Sequence, residues 1–495
     1  MNPPAHTLES IQTFEGRYPR QLWWLFFSEM WERFSFYGMR GVLTYFMVHQ
    51  LFMDEKTANL QYGATQAFVY AFTFVGGLFA DKILGFRKSL FWGGSLMVVG
   101  SLVLATDPEE FFFLGIAFNI VGTGFFKPNI STMVGALYKD GDARRDAGFS
   151  LFYSGINVGA LLGGYICVYV GKNHSWNLCF GLTAIVMTIS VLTFARSQRL
   201  LGPIGLSPKH GTAGQTEEKR LQWATYAGTL LIIPVIMTMV SRTELTDYFM
   251  YTIGPLTLVY IGYEMTKYSS TERKKLAAAL VFIIFSIIFW AFFEQSGGSL
   301  SLFAANNLDN RLLGIPLDPN GVNNSANSLF VIVFAPLVGL LWVAMARRKI
   351  EPNTVVKFGL GFLFLAGAFF TFASTRYFAS PEGITSLDVF TLAYLVITFG
   401  ELCLSPIGLS IMTKLSPKPL QGVMMGMWFL ASAYGQYAAG LLGAGMTSPA
   451  TNATATDKLL SYTAGYQQLA IYALIAGAVL IAISPLVRKL MGAVK

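Results

Sequence analysis

The chain is poor in charge. Only 13% of its 495 residues are Asp, Glu, Lys or Arg, against about 25% in soluble domains. Apolar stretches long enough to cross a bilayer recur from end to end. Together these exclude a soluble enzyme carried by one anchor and leave a polytopic helical membrane protein. Cysteine is scarce too: Cys167, Cys179 and Cys403 lie in or beside apolar segments, at spacings that suit neither a metal site nor a disulfide framework. The four histidines, His6, His49, His174 and His210, fall at the terminus, at span ends or in a linker. None is placed to hold a metal or relay a proton within the membrane. No His-Glu-x-x-His and no nucleophile–base pair occurs at span depth, which speaks against an intramembrane enzyme. Residues 1–19 lack a charged leader followed by an apolar run and a small-residue cleavage site, so the first span is expected to insert by itself.

What is present is a regular alternation of apolar spans and short loops. Spans are expected near 22–48, 62–82, 88–106, 110–138, 147–170 and 178–196, then near 276–297, 326–347, 355–376, 386–413, 420–446 and 463–487. A polar linker, 196–220, and two more apolar runs, near 221–240 and 247–266, separate the two sets. The net charge of +8 would suggest nucleic acid in a soluble protein. Here the cations crowd the loops of one side, such as Arg273, Lys274, Lys275 and Arg347, Arg348, Lys349. The other side receives about one per loop. The crowded side is cytoplasmic, both termini are expected there, and no nucleic-acid partner is implied.

Against this apolar background, charges inside spans stand out. Each costs about 2.5–3.5 kcal/mol at the centre of an inserted helix and persists when it faces a bundle interior or a water-filled path. The first span carries Glu29, Glu32, Arg33 and Arg40. At about 100° per residue, Glu29, Arg33, Tyr37 and Arg40 share one stripe, with Glu32 and Phe36 beside it. Lys127 lies inside the fourth span, Glu294 and Gln295 end the seventh of the twelve, and Glu401 lies in the tenth; Tyr70, Asn157 and Asn327 are polar neighbours at depth. Trp290 and Trp428 can either line a pocket or pack. The cations fall in the first half, and Glu294 and Glu401 in the second. A cavity between such halves suits a zwitterion, with its carboxylate toward Arg40 and Lys127 and its ammonium toward Glu401. A buried carboxylate whose cationic partner comes and goes can bind and release a proton, which makes Glu29, Glu32 and Glu294 the candidates for coupling.

Two six-helix halves joined by a basic linker resemble the layout of major facilitator transporters, in which the halves rock around a midplane site. The loop Gly77-Leu78-Phe79-Ala80-Asp81-Lys82-Ile83-Leu84-Gly85-Phe86-Arg87-Lys88 resembles that superfamily's loop between the second and third spans. Five further segments resemble the proton-dependent oligopeptide transporter family of prokaryotic type. They are Glu29-x-x-Glu32-Arg33-Phe34-x-Phe36-Tyr37, Gly124-Phe125-Phe126-Lys127-Pro128-Asn129, Phe152-Tyr153-Ser154-Gly155-Ile156-Asn157, Glu294-Gln295 and Phe399-Gly400-Glu401-Leu402-Cys403-Leu404-Ser405-Pro406. The two runs after the linker look like the additional helix pair of prokaryotic members.

That resemblance implies an all-α membrane protein of the major facilitator fold with about 14 transmembrane helices. It implies bundles at 1–200 and 271–495, with linker and extra helices at 201–270. It also implies a symporter that imports di- and tripeptides by alternating access, with protons as the coupling ion and no other cofactor. Glu29, Glu32 and Arg33 would serve coupling and gating, and Glu294 would link protonation to closure, with Arg40 as a candidate partner. Arg40 and Lys127 would take the peptide carboxylate and Glu401 its amine. Tyr37, Tyr70, Asn157, Trp290, Asn327, Ser405 and Trp428 would line the pocket. The chain departs from the family at Phe36, where a tyrosine is usual, and it has no histidine between Leu60 and Ala80, so coupling should rest on carboxylates. Its expected setting is the bacterial inner membrane, where it would work as a monomer. The rivals are a carrier of another solute, such as nitrate or a drug-like amphiphile, and a non-transporting membrane receptor. An ammonium-binding Glu401 argues against an anion carrier.

Overall fold

In hydrocarbon every backbone amide and carbonyl must find a partner within the chain, and helices do this segment by segment. A computed structural model describes residues 7–139, 141–208, 215–404, 408–447 and 452–492. In chain order its α-helices are α1 (Leu8–Gln12), α2 (Arg20–His49), α3 (Glu55–Phe79), α4 (Phe86–Thr106), α5 (Phe112–Ala136) and α6 (Arg144–Asn173). They continue with α7 (Trp176–Ser197), α8 (Gln215–Ser241), α9 (Thr243–Thr266), α10 (Ser270–Phe293), α11 (Ser299–Asn307) and α12 (Pro319–Arg347). The last are α13 (Thr354–Ser374), α14 (Leu387–Leu404), α15 (Gly408–Leu415), α16 (Gln421–Gly445), α17 (Ala455–Ala482) and α18 (Ser484–Met491). Fourteen of these run 18 residues or more among the described residues, one for each expected span. The fold is all-α, of the major facilitator type.

Several helices begin earlier than hydrophobicity alone suggests, because their polar first turns are capped. Asp54 accepts from the Thr57 amide at 2.9 Å and its hydroxyl at 2.6 Å, which starts α3 seven residues before the expected 62. Capping boxes, Ser269 with Glu272 and Thr454 with Asp457, start α10 and α17. Of the span expected at 386–413, Leu387–Leu404 (α14) and Gly408–Leu415 (α15) are helical, and residues 405–407 between them lie outside the described residues. The seventh expected span also changes character: α10 ends at Phe293, and Glu294–Gly297 form a 3₁₀ turn that leads into α11.

The chain divides into two compact units. One comprises residues 1–42 and 68–241, the other residues 43–67 and 242–495. In the first, α4 lies along α5 and α7, and α8 joins them through Trp92 Nε1 to Thr229 Oγ1 (2.9 Å) and Lys88 Nζ to Gln222 Oε1 (2.7 Å). The Arg87 that ends the Gly-Asp-Gly loop ties down the linker, donating to the carbonyls of Ile204 (2.6 Å), Gln198 (3.2 Å) and Gly202. In the second unit α13 packs along α14 and α17, and α10 against α16. Its core is aromatic, with Phe303, Phe372, Phe390 and Tyr466 in mutual ring contact. The helix pair after the linker is shared out: α8 belongs to the first unit and α9 to the second.

Candidate functional site

In the first unit, α2 brings its charges into the interior because α6 offers no side chains where they cross. A Cβ on Gly159 would lie 3.0 Å from both Arg33 Cβ and the Phe34 amide, and one on Gly163 would lie 2.8 Å from the Phe34 backbone. Such small-residue seams let two membrane helices meet backbone to backbone. Within that seam Glu29, Glu32 and Arg33 are 2%, 0% and 2% exposed. Arg33 Nη2 donates to Glu32 Oε1 at 2.6 Å, and Arg33 Nε donates to Glu32 Oε2. Glu29 receives less: its Oε1 lies 3.3 Å from Arg33 Nε, and its buried Oε2 has no hydrogen-bond partner among the described residues. Lys127 acts electrostatically on both carboxylates. The guanidinium of Arg33 also sits 5.0 Å from the centre of the Phe36 ring, so the phenyl ring at this position supplies a π face rather than a hydroxyl.

The remaining first-unit candidates form cation–aromatic pairs. Lys127 Nζ stands 4.3 Å from the Tyr70 ring centre, and the Arg40 guanidinium 5.6 Å from that of Tyr37. All four side chains are partly open rather than sealed. Asn157 is buried and its amide donates to the carbonyl one turn back, Tyr153, at 3.0 Å.

In the second unit Glu401 on α14 meets Asn327 on α12. Asn327 Nδ2 donates to Glu401 Oε2 at 3.0 Å and to Thr398 Oγ1 at 3.1 Å. Both Asn327 and Glu401 are partly open. One turn up α12, Asn323 accepts from Tyr394 OH at 2.7 Å and donates to the Ser296 carbonyl at 2.8 Å, which ties the 3₁₀ turn to α12 and α14. Glu294 in that turn is 5% exposed. Its neighbour Gln295 is fixed by bonds to the Ala291 and Ala439 carbonyls, 3.0 Å each, and by Ser299 Oγ at 2.6 Å. Trp290 packs edge-on against Phe289 and Phe293, with centroids 5.4 and 5.3 Å away, and Trp428 is buried in the core. Ser405 lies outside the described residues.

The model of the POT family matches residues 87–460. The chain belongs to the POT family. This POT chain is 34% identical to the peptide transporter YePEPT of Yersinia enterocolitica, over 97% of its own length and 96% of the relative's. It is 32% identical to a di-/tripeptide transporter of Lactococcus lactis, with 98% of each covered. Among solved structures it resembles the peptide transporter POT in complex with sulfate, at a TM-score of 0.82, 31% identity and 98% coverage of each chain. A mutant of that transporter in complex with alafosfalin matches at the same TM-score and identity, over 99% of this chain and all of the other. These relatives are transporters, not enzymes.

Two site features of this POT chain are not singled out by sequence reasoning. Thr398 shares the Asn327 amide with Glu401, and Asn323 with Tyr394 braces the turn that carries Glu294. A signal for the second was present: Asn320, Asn323, Asn324 and Asn327 recur at helical spacing along one face.

Proposed function

We propose that this protein is a proton-coupled symporter that imports di- and tripeptides by alternating access across a bacterial inner membrane, with both termini cytoplasmic and one chain sufficient for activity. Bundles at 1–200 and 271–495 would move around the site, with 201–270 inserted between them. Arg40 and Lys127 take the peptide carboxylate and Glu401, steadied by Asn327, takes its amine. The partly open state of these groups supports this, since a ligand can reach them. Tyr37, Tyr70, Asn157 and Trp290 line the same path, and Glu294 reports protonation to the turn that joins α10 and α11.

The observation that carries the coupling is the unequal treatment of two carboxylates by one guanidinium. Arg33 gives two bonds to Glu32, while Glu29 keeps one 3.3 Å contact and an unbonded oxygen. Two buried acids beside one buried base leave a surplus negative charge, which is costly away from water. Lys127 offsets it at a distance. When the peptide carboxylate draws on Lys127, Glu29 loses that support, and a proton on Glu29 restores neutrality. Glu29 is therefore the proton carrier and Glu32 the residue that holds Arg33. Uptake of a labelled dipeptide into proteoliposomes, with and without an inward proton gradient, tests the function. Accumulation above equilibrium only with the gradient, and competition by tripeptides but not by nitrate or single amino acids, are expected. Gradient-independent uptake, or competition by nitrate, would overturn it.

A further inference from the structure

The outer end of α3 carries an acid that the proposed proton and peptide sites do not use. Glu55 is the first residue of α3, yet it is not needed to start that helix, because Asp54 already caps it. Its carboxylate instead gathers three donors from elsewhere in the second unit. Oε1 accepts from Lys458 Nζ at 2.6 Å and from Asn306 Nδ2 at 2.9 Å, and Oε2 accepts from Tyr462 OH at 2.6 Å. Asn306 lies on α11, and Lys458 and Tyr462 on α17. The pair is not sealed: Glu55 is 12% and Lys458 26% exposed.

Below this node the tip of the α2–α3 hairpin is pressed against the same unit. Thr44 Oγ1 donates to the carbonyl of Gly297, in the 3₁₀ turn that carries Glu294. A Cβ on Gly63 would lie 2.7 Å from Gly440 Cα on α16. Residues 43–67 group with residues 242–495, while the remainder of α2 and α3 groups with the first unit. The hairpin thus belongs to the first half by sequence and to the second by contact. A tight glycine seam excludes water, and a charged, partly wetted node at its rim can open without leaving a buried orphan charge.

We propose that Glu55, with Lys458, Tyr462 and Asn306, is a latch that holds the outer tip of the α2–α3 hairpin shut on α11 and α17, and that its opening admits peptide from outside. The latch presupposes the alternating access proposed above, so its test uses no substrate. Ala58, one turn below Glu55, is fully buried, and the three native cysteines are buried as well. In an Ala58→Cys protein, labelling by a membrane-impermeant thiol reagent from outside measures outer opening. Adding Glu55→Ala or Lys458→Met should speed labelling about tenfold, the ratio corresponding to about 1.4 kcal/mol. The exchange Glu55→Lys with Lys458→Glu should return it to the slow rate, which guards against a merely misfolded single variant. Unchanged labelling in both single variants, or fast labelling that the exchange does not reverse, would overturn the latch. Dipeptide uptake, measured separately in the Ala58→Cys protein, reports on the transport proposal whatever the labelling shows.

Discussion

Replacing Glu29 and Glu32 by glutamine, one at a time, separates the proton carrier from the structural anchor. Glu32→Gln removes the partner to which Arg33 gives two hydrogen bonds. Breaking a buried pair from one side leaves an uncompensated charge and costs about 3–5 kcal/mol. Glu29→Gln removes only a 3.3 Å contact and leaves the Glu32–Arg33 pair intact, so its cost should stay within about 1 kcal/mol, the scale of one ordinary hydrogen bond. Function should divide the other way. Glu29→Gln holds the site permanently in its neutral form, so gradient-driven accumulation should vanish while counterflow exchange of dipeptide continues. Thermal inactivation of the purified variants, read by size-exclusion recovery after heating, ranks stability. Proteoliposomes with and without a gradient give the two transport modes. If Glu29→Gln still accumulates peptide uphill, or if the two variants are equally destabilised, the assignment fails.

Other expectations follow from the same geometry. Glu401→Gln should weaken peptides with a free amino terminus about 10- to 100-fold, the value of a charge-assisted hydrogen bond, and leave N-blocked peptides little changed; competition assays read both. Arg40→Ala should impair free-acid peptides more than their C-terminal amides, and equal effects would count against its role. Gly159→Val should prevent assembly, since a side chain there meets Arg33 and Phe34, and the yield of monodisperse protein checks this. Asp54→Ala should cost about 1 kcal/mol through loss of a helix cap. The Thr57 hydroxyl bond holds the Asp54 carboxyl below the ordinary carboxylate range. Its contribution is therefore present above that range and lost as pH falls through the lowered value, so thermal stability of the alanine variant should converge on that of the parent in acid.

The charged stripe of α2 was legible in the sequence because few structures tolerate four charges inside an apolar run. The spans were legible because hydrocarbon demands their length. What escaped is of two kinds. Polar helix starts at Asp54, Ser269 and Thr454 depend on capping, to which hydrophobicity is blind. Pairings such as Asn327 with Glu401, or Glu55 with Lys458, join residues 74 and 403 positions apart, and no local pattern encodes them. Glu294 shows an intermediate case. Its identity and depth were readable, but the 3₁₀ turn that holds it arises from the bonds of Gln295 and Asn323 to neighbouring segments.

The lone oxygen of Glu29 has an electrical consequence. A dipeptide with neutral side chains carries no net charge across the membrane, so if Glu29 carries one proton with it, as proposed, each inward step would move one positive charge. Such a carrier is driven by voltage as well as by acidity. A potential of 100 mV, negative inside, contributes about 2.3 kcal/mol per charge, roughly a fiftyfold accumulation, even when the pH is equal on both sides. Peptides bearing an acidic side chain would cancel that current and depend on the pH gradient alone.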